Sequence, residues 1–363
     1  MNRLGSYIKA VGAGARRARA LTREEAQEAF EIVVTSAEPV QVGAFLLALR
    51  MKGETPAELI GFIDSLARYK RVAPSPPDAL EVDAHGDGHE GMVSLLPAAA
   101  CAAAACGVPV WLSVDADSPF ARHGLRGGLA AIGLQGELGV DRAAQDLMKS
   151  GVAACDLGHS CPPLRRLIDL RPLLGVRTVA QTVAKLVSFC RAPHRLVGAF
   201  HAPYVALMAE VLSLQPGVQR GLVVQALGGL PEARPGKLVR VADSGSTTPR
   251  TIDLRGFGPG KEGEGRETEA ERQDVGGKSR EGEGSIDDEG ESPLADVTAS
   301  ADAAGRSANR AALDGTPGWA HQAAATAAIL LHAATGADVQ EAARRALKAL
   351  LRGHARAQAT RLH

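Results

Sequence analysis

The segment from Gln41 to Pro56 reads QVGAFLLALRMKGETP and joins two predicted helices. The apolar run from Val40 to Met51 favours a first helix. Thr55 then supplies an N-cap side chain, Pro56 suits the first helical position, and an acidic residue follows at Glu58. This pattern predicts a second helix that ends near Tyr69, so the region is expected to be a set of short helices in close succession.

An earlier helix is predicted from the residues that precede this segment. Thr22 and Glu25 have the spacing of a capping box, in which each residue's side chain bonds the other's backbone N–H. Apolar residues follow at helical spacing, at Ala26, Ala29, Phe30, Val33 and Val34. The run Pro74–Pro77 then interrupts regular structure and predicts a linker. Residues 1–73 are therefore expected to form an N-terminal helical domain.

From Leu80 onward, short apolar runs alternate with helical segments. The runs are Val108–Val114, Leu196–Phe200 and Leu222–Val224. The helical segments are Leu95–Cys106, Val140–Ser150, Val179–Phe189 and Tyr204–Leu214. This alternation is typical of an α/β domain with a largely parallel sheet. It predicts such a domain over residues 80–255, completed by C-terminal helices over residues 316–363.

Residues 256–315 have a different composition, rich in Gly, Glu and Ser and poor in large apolar residues. Such a segment buries too little surface to offset its ordering entropy, so it is predicted to be an acidic disordered insert. Residues 256–304 carry about 5 Lys and Arg against about 14 Asp and Glu. Because the whole chain is neutral, the remainder has an excess of positive charge.

The composition narrows the class of protein further. Aromatic residues make up 3% of the chain, which argues against an extensive base-stacking platform for single strands. None of the five cysteines forms a CxxC pair, so they are expected to be core residues in a reducing compartment, with a metal or redox site as the alternative. No secretory apolar region and no bilayer-length apolar stretch occur. A soluble cytoplasmic protein without membrane contact is predicted.

Several stretches resemble anthranilate phosphoribosyltransferase and, more broadly, glycosyltransferase family 3. They are Gln41–Pro56, Ala98–Val108, Leu170–Thr178, Pro203–Val211 and the last two predicted helices. The resemblance implies an α/β fold made of a small N-terminal helical domain and a large α/β domain with a mostly parallel central sheet. It also implies a homodimer formed through the helical domain.

The catalytic signatures of that family are altered here. Its pyrophosphate loop, GTGGDG, corresponds to DAHGDG at residues 83–88, so Gly86, Asp87 and Gly88 are predicted to be a vestigial phosphate loop. Leu112–Ala116 replaces the family's KHGNR, and Pro231–Glu232 replaces its metal-binding Asp-Glu pair. The resemblance therefore implies that most phosphoribosyl chemistry is lost. No cofactor is expected, with Mg²⁺ required only if the chain is a transferase.

Three further strings, Cys161–Leu164, Leu174–Arg177 and Gln181–Leu186, resemble the YbiB-type paralogues, which share this fold and bind DNA. The predicted function is accordingly a non-catalytic or weakly catalytic protein that binds nucleic acid, with DNA as the partner. Basic residues crowd the same region and would neutralise phosphates with release of counterions. The predicted nucleic-acid-binding residues are Arg165, Arg166, Arg171, Arg177, Lys185, Arg191 and Arg195.

The alternative is a family 3 phosphoribosyltransferase with an altered substrate. The resemblance places Arg171 against the acidic aromatic substrate of the enzyme, and no catalytic residue is assigned beyond it. A dense acidic and imidazole cluster on the glycine loop is also open to two interpretations, a metal site or a solvated loop, and the second is favoured. Its members are Asp83, His85, Asp87, His89 and Glu90.

Overall fold

The computed structural model describes residues 3–88, 91–115, 118, 120–246, 248–257 and 294–362. A bundle of N-terminal helices packs beside a larger α/β domain, which confirms the predicted fold class. Within these ranges no helix is both long and apolar enough to cross a membrane. The predicted domain boundaries at residues 73, 80, 255 and 316 stay predictions.

The N-terminal bundle is built from four helices. They are α1 (Arg3–Gly12), α2 (Arg23–Thr35), α3 (Pro39–Lys52) and α4 (Pro56–Ser65). The capping box predicted at Thr22 is present, and the N-cap predicted at Thr55 belongs to a second capping box with Glu58. Each threonine side chain accepts a hydrogen bond from the backbone N–H three residues on. Helix α4 ends four residues before the predicted position, at Ser65.

Aromatic rings form the centre of this bundle. The rings of Phe30 and Phe62 stack with centroids 4.7 Å apart, and Phe45 meets Phe62 edge-on at 6.3 Å. Helices α2 and α4 cross closely at Gly61, where a Cβ atom would lie 2.3 Å from the carbonyl oxygen of Arg23. Glycine at this position therefore allows the approach that buries the rings.

Seven strands form one sheet in the order β3-β2-β1-β4-β5-β6-β7. They are β1 (Leu80–Ala84), β2 (Val110–Val114), β3 (Val152–Asp156), β4 (His194–Ala199), β5 (Arg220–Gln225), β6 (Leu238–Asp243) and β7 (Arg250–Asp253). The first five strands pair in parallel, and β6 and β7 add an antiparallel edge. The predicted largely parallel sheet is therefore confirmed, although the apolar runs had not identified β1, β3, β6 or β7.

Helices cover both faces of the sheet. The helices between its strands are α5 (Leu96–Ala105), α6 (Leu125–Ala131), α7 (Val140–Ser150), α8 (Leu157–Ser160), α9 (Pro162–Ile168), α10 (Arg171–Leu174), α11 (Val179–Leu186) and α12 (Ala202–Ser213). After the strands come α13 (Leu294–Leu313), α14 (Pro317–Thr335), α15 (Val339–Leu351) and α16 (His354–Thr360). One core lies under α5 and α14, and the other joins the N-terminal bundle to α11 and α12. Alternate residues of β3 thus enter different cores, Val152 and Ala154 the first and Ala153 and Cys155 the second, as period-two side chains do.

Helix α13 corrects part of the predicted disordered insert. It occupies Leu294–Leu313, inside the range 256–315, and packs against α6 and α14. Ala308 and Ala312 enter the core, and Asn309 is fully buried. Small residues at helical spacing let this segment pack, which its low content of large apolar residues had concealed. Residues 258–293 of the predicted insert lie outside the described residues.

Candidate active site

The strand order places a crevice at the carboxyl end of the sheet. The chain runs from β1 outward through β2 to β3 and then returns to β4 on the other side of β1. Ligands of open α/β sheets bind at such a reversal, outside the carboxyl ends of the strands. Two loops meet there, the β1 loop (residues 83–88) and the β5 loop (residues 226–232). We call this region the β1–β4 crevice.

Asp83 organises the β1 loop from beneath. Its Oδ1 accepts hydrogen bonds from the backbone N–H of His85 at 2.9 Å and from His85 Nδ1 at 2.8 Å. Its Oδ2 accepts from Lys185 Nζ at 2.9 Å and from the N–H of Gly198 at 3.2 Å. Burial alone would raise the pKa of Asp83, but Lys185 and His85 outweigh it and lower that pKa. Asp83 is thus held as a carboxylate.

Lys185 ties the two loops together. Besides Asp83, its ammonium group donates to the carbonyl oxygen of His85 and, at 2.7 Å, to that of Gly229. The lysine lies on α11, whose start is fixed by a capping box between Thr178 and Gln181. All three donors of the ammonium group are therefore satisfied within the protein.

Glycines allow the loops to touch. A Cβ atom at Gly86 would lie 2.7 Å from the carbonyl oxygen of Gly228, and one at Gly198 would lie 2.3 Å from that of Gly229. The N–H of Gly88 donates to Gly228 at 3.2 Å. The glycines of the β1 loop thus serve the close approach of another backbone segment as well as the turn itself.

A carboxylate sits between two arginines at the mouth of the crevice. Asp87 Oδ2 accepts a hydrogen bond from Arg171 at 2.6 Å and a second from Arg177. The guanidinium of Arg171 also lies over the ring of Phe120, 4.0 Å from its centroid. Two cations converging on one oxygen form a site suited to an anion, which Asp87 occupies from within the chain.

The carboxyl end of β2 carries a second ion pair. Asp115 bonds Arg165, which also donates from Nε to Asp169 at 2.9 Å. Burial raises the pKa of Asp115, while the charge of Arg165 opposes that rise. Arg165 is therefore held along the crevice wall by two carboxylates.

The start of α5 is capped by a distant glutamate. The Ser94 hydroxyl donates to Glu232 Oε1 at 2.5 Å, and the N–H of Leu95 donates to Glu232 Oε2 at 3.2 Å. A helix N-terminus at this place is where an anion binds favourably, and here the anion is a side chain of the β5 loop. Burial raises the pKa of Glu232 to about 7, although Ser94 and Leu95 oppose the shift.

His123 supports the β1 loop from the side of α6. Its Nε2 lies 2.8 Å from the carbonyl oxygen of Gly86, and its Nδ1 accepts the N–H of Leu125 at 3.2 Å. This pattern fixes the neutral tautomer with the proton on Nε2. Burial lowers the pKa of His123, in agreement with a neutral ring.

The predicted nucleic-acid-binding residues do not form one free basic surface. Arg195 is buried with 1% exposure, where it donates to the carbonyl of Leu186 and to Gln215, so its place in the predicted set is wrong. Four others are engaged by carboxylates of the crevice: Arg165, Arg171, Arg177 and Lys185. Arg166 and Arg191 are exposed. The chain's own acidic residues thus neutralise most of the predicted surface.

The acidic and imidazole cluster differs from the solvated loop that was favoured. Asp83 and His85 are buried, and Asp87 is engaged by Arg171 and Arg177. His89 and Glu90 lie outside the described residues. Strand β1 carries Asp83 into the interior and the backbone turns back over it, which short-range sequence patterns do not reveal.

The described residues form a helical bundle beside a mostly parallel sheet, with a glycine loop at the strand reversal. The chain belongs to glycosyl transferase family 3. Residues 6–69 match the helical bundle domain of the family, and residues 78–270 match its α/β domain. The second match alone covers more than half of the chain. The family that the sequence resembled is therefore confirmed.

Similar proteins are anthranilate phosphoribosyltransferases. The protein from Chelativorans sp. (strain BNC1) is 31% identical over 69% of this chain and 72% of its own length. That from Methylobacterium radiotolerans is 34% identical over 66% and 70%. The crystal structure of the Thermus thermophilus enzyme superposes with a TM-score of 0.73 at 23% identity, over 100% of this chain and 98% of that one. A Saccharomyces cerevisiae structure in complex with PRPP and Mg gives 0.73 at 15% identity, over 99% and 96%.

These relatives overturn the predicted function. The prediction of a non-catalytic DNA-binding protein is wrong, because the similar proteins are phosphoribosyltransferases. The preference for a chain without enzymatic activity is likewise unsupported. Altered loop signatures and an excess of positive charge had suggested nucleic acid. In the folded chain four of the predicted cations meet carboxylates in one crevice, namely Arg165, Arg171, Arg177 and Lys185.

The crevice does not present a ready set of Mg²⁺ ligands. Hard divalent cations need oxygen ligands, chiefly ionised carboxylates. Asp83 is bound by Lys185, Asp87 by two arginines, and Glu232 caps α5 with a raised pKa. No three His, Cys, Asp or Glu side chains converge in a metal-binding arrangement in the described ranges. The Mg of the yeast structure therefore does not transfer to these residues.

Proposed function

We propose that the chain is a phosphoribosyltransferase whose acceptor differs from anthranilate. The observation that supports it is the paired-arginine anion site at the strand reversal of a family 3 chain, formed by Arg171 and Arg177 around Asp87. A pyrophosphate group offers the charge that two convergent guanidinium groups bind. The β1–β4 crevice is then the place where the phosphoribosyl group is transferred.

The acceptor is proposed to be a neutral nitrogen nucleophile. Arg171, which the resemblance places against an acidic substrate, is already engaged by Asp87 and stacked on Phe120. An acidic acceptor would have to displace Asp87 or lie beside its negative charge, which is unfavourable. A neutral amine or ring nitrogen avoids that repulsion. Anthranilate is accordingly expected to be a poor substrate.

The direct test is acceptor-dependent release of pyrophosphate. The full chain is mixed with PRPP, with and without Mg²⁺, and with neutral nitrogen heterocycles, amines or anthranilate. We expect PRPP binding by calorimetry and faster release with a neutral acceptor than with anthranilate. Arg177→Ala should weaken PRPP binding, whereas Arg166→Ala, at an exposed position, should not. A chain that neither binds PRPP nor releases pyrophosphate with any acceptor contradicts the proposal.

Removing the internal anion should improve binding of an external one. In the Asp87→Asn variant, Arg171 and Arg177 lose their shared carboxylate and become available to phosphate oxygens. We expect the affinity for inorganic pyrophosphate to rise about tenfold at low ionic strength and less in high salt. Isothermal titration calorimetry measures this effect. Asp169→Asn removes a carboxylate from Arg165 instead and serves as the control. Equal affinities of both variants and the parent would show that Asp87 does not mark the anion site.

We also propose that the chain forms a homodimer through α3 and α10. Large apolar side chains are exposed there, with Val40 84%, Met51 86% and Leu173 83% accessible. The two helices are neighbours, since a Cβ atom at Gly43 would lie 3.3 Å from Leu174, and exposed apolar side chains on adjacent helices are typical of a contact between proteins. The Val40→Asp and Met51→Glu double variant should be monomeric by light scattering, while the parent is dimeric. The Met148→Glu variant alters a comparably exposed methionine on α7 and should leave the parent's mass unchanged. A monomeric parent at micromolar concentration would contradict the proposal.

Within the family, the sequence predicts that the chain is closest to the YbiB-type paralogues. It rests on the strings Cys161–Leu164, Leu174–Arg177 and Gln181–Leu186. The assignment to that branch stays a prediction, and no DNA-binding role is carried over with it.

A further inference from the structure

His85 has one ring nitrogen that the protein does not use. Its Nδ1 is bound to Asp83 Oδ1 at 2.8 Å, and its side chain is 7% exposed. Its Nε2 is buried and has no hydrogen-bond partner among the described residues. A buried polar atom without a partner costs free energy, and an ordered water, a ligand or a reacting group can satisfy it.

The partners of His85 select its tautomer. Asp83 is held ionised, and a carboxylate accepts but does not donate, so the ring proton lies on Nδ1 and the lone pair on Nε2. Lys185 bonds the other carboxylate oxygen and the carbonyl of His85, and its charge offsets that of Asp83. Asp115, which pairs with Arg165, also lies near the ring. In the tautomer with its proton on Nδ1, the ring keeps a free lone pair on Nε2.

His123, which contacts the β1 loop from the side of α6, shows how a structural histidine is bound. Both of its ring nitrogens have backbone partners, at Gly86 and Leu125. His85 differs because its Nδ1 is anchored by Asp83, while its Nε2 has no partner among the described residues. The arrangement of an orienting carboxylate, an imidazole and an open nitrogen is that of a general base.

We propose that His85 Nε2 accepts the proton of the acceptor nitrogen during transfer, an inference that rests on the proposed phosphoribosyltransferase function. The acceptor nitrogen forms a bond to the anomeric carbon of the phosphoribosyl group. The bond from that carbon to pyrophosphate breaks, and pyrophosphate keeps the electron pair. The N–H proton passes to Nε2, and the imidazolium later returns it to water. Asp83 orients the ring, and Lys185 positions Asp83.

The test compares His85→Gln with the parent and with His159→Gln, which changes an exposed histidine on α8. We expect kcat of His85→Gln to fall by about 10²- to 10⁴-fold, with PRPP affinity unchanged. The parent's loss of rate at acidic pH, where imidazoles take up protons, should be absent from the residual activity of His85→Gln. His159→Gln should match the parent in both respects. Parent-like kcat in His85→Gln, or a fall explained by lost PRPP affinity, would overturn the inference.

A second measurement does not depend on turnover. Nitrogen-15 NMR of histidine-labelled full chain should show His85 with its proton on Nδ1 and a bare Nε2 at neutral pH. A proton on Nε2 would overturn the inference. If the parent releases no pyrophosphate with any acceptor, the proposed function fails and the inference fails with it. If the parent is active and His85→Gln is equally active, only the inference fails.

Discussion

Replacing Arg195 by methionine is expected to destabilise the fold by about 3–5 kcal/mol, because it leaves an unpaired charge in the interior. Arg195 is 1% exposed and Glu81 is 0% exposed, and Arg195 Nε lies 3.5 Å from Glu81 Oε2. Glu81 also accepts hydrogen bonds from the hydroxyls of Ser113 and Ser188. The guanidinium further satisfies the carbonyl of Leu186 at the end of α11, so several segments depend on it. Urea denaturation measures the loss.

Two further variants separate burial from charge. Arg191→Ala removes a neighbouring but exposed arginine, so its stability should stay within about 0.5 kcal/mol of the parent. Adding Glu81→Gln to Arg195→Met removes the stranded charge and should recover part of the lost stability. If Arg195→Met lowers the free energy of unfolding as little as Arg191→Ala does, the buried ion pair does not stabilise the fold as proposed.

The second large effect is a pH dependence of stability caused by Glu232. Burial raises its pKa from 4.5 to about 7, so the folded chain binds a proton there that the unfolded chain has already released. Stability from this group is complete below pH 4.5 and is lost as pH rises through about 7. The Glu232 side chain is partly exposed, which reduces the effect. We therefore expect the free energy of unfolding to fall by about 2 kcal/mol as the pH rises from 4.5 to about 7.

The Glu232→Gln variant isolates this contribution. An amide cannot titrate, yet its oxygen can still accept from Ser94 or Leu95. Urea midpoints measured between pH 4.5 and pH 8 should therefore fall less with rising pH in the variant than in the parent. Glu210→Gln, an exposed site on α12, serves as the matched control. Identical pH profiles of the parent and Glu232→Gln would show that the carboxyl is not held protonated.

The sequence predicted single loops and residues of the candidate site, but it did not predict which of them pair with one another. The resemblance located the β1 loop and Arg171, and the strand pattern indicated a parallel sheet. The order of the strands around β1 brings residues far apart in sequence together, as with Asp87 and Arg171 or Asp83 and Lys185. A basic composition predicts positive charge, but it does not say which carboxylate meets each cation. The DNA-binding prediction failed at that step.

The sequence by itself determined the elements whose signals are local. The capping boxes at Thr22 and Thr55 set two helix starts, because both partners lie within one turn of the chain. Alternation of apolar runs and helical segments determined the α/β class. Only the tertiary structure decided that Arg195 is buried against Glu81, that Asp87 occupies an anion site, and that His85 keeps a free nitrogen. The physical reason is that charge pairing and burial depend on which strands become neighbours, and distant segments of the chain set that choice together.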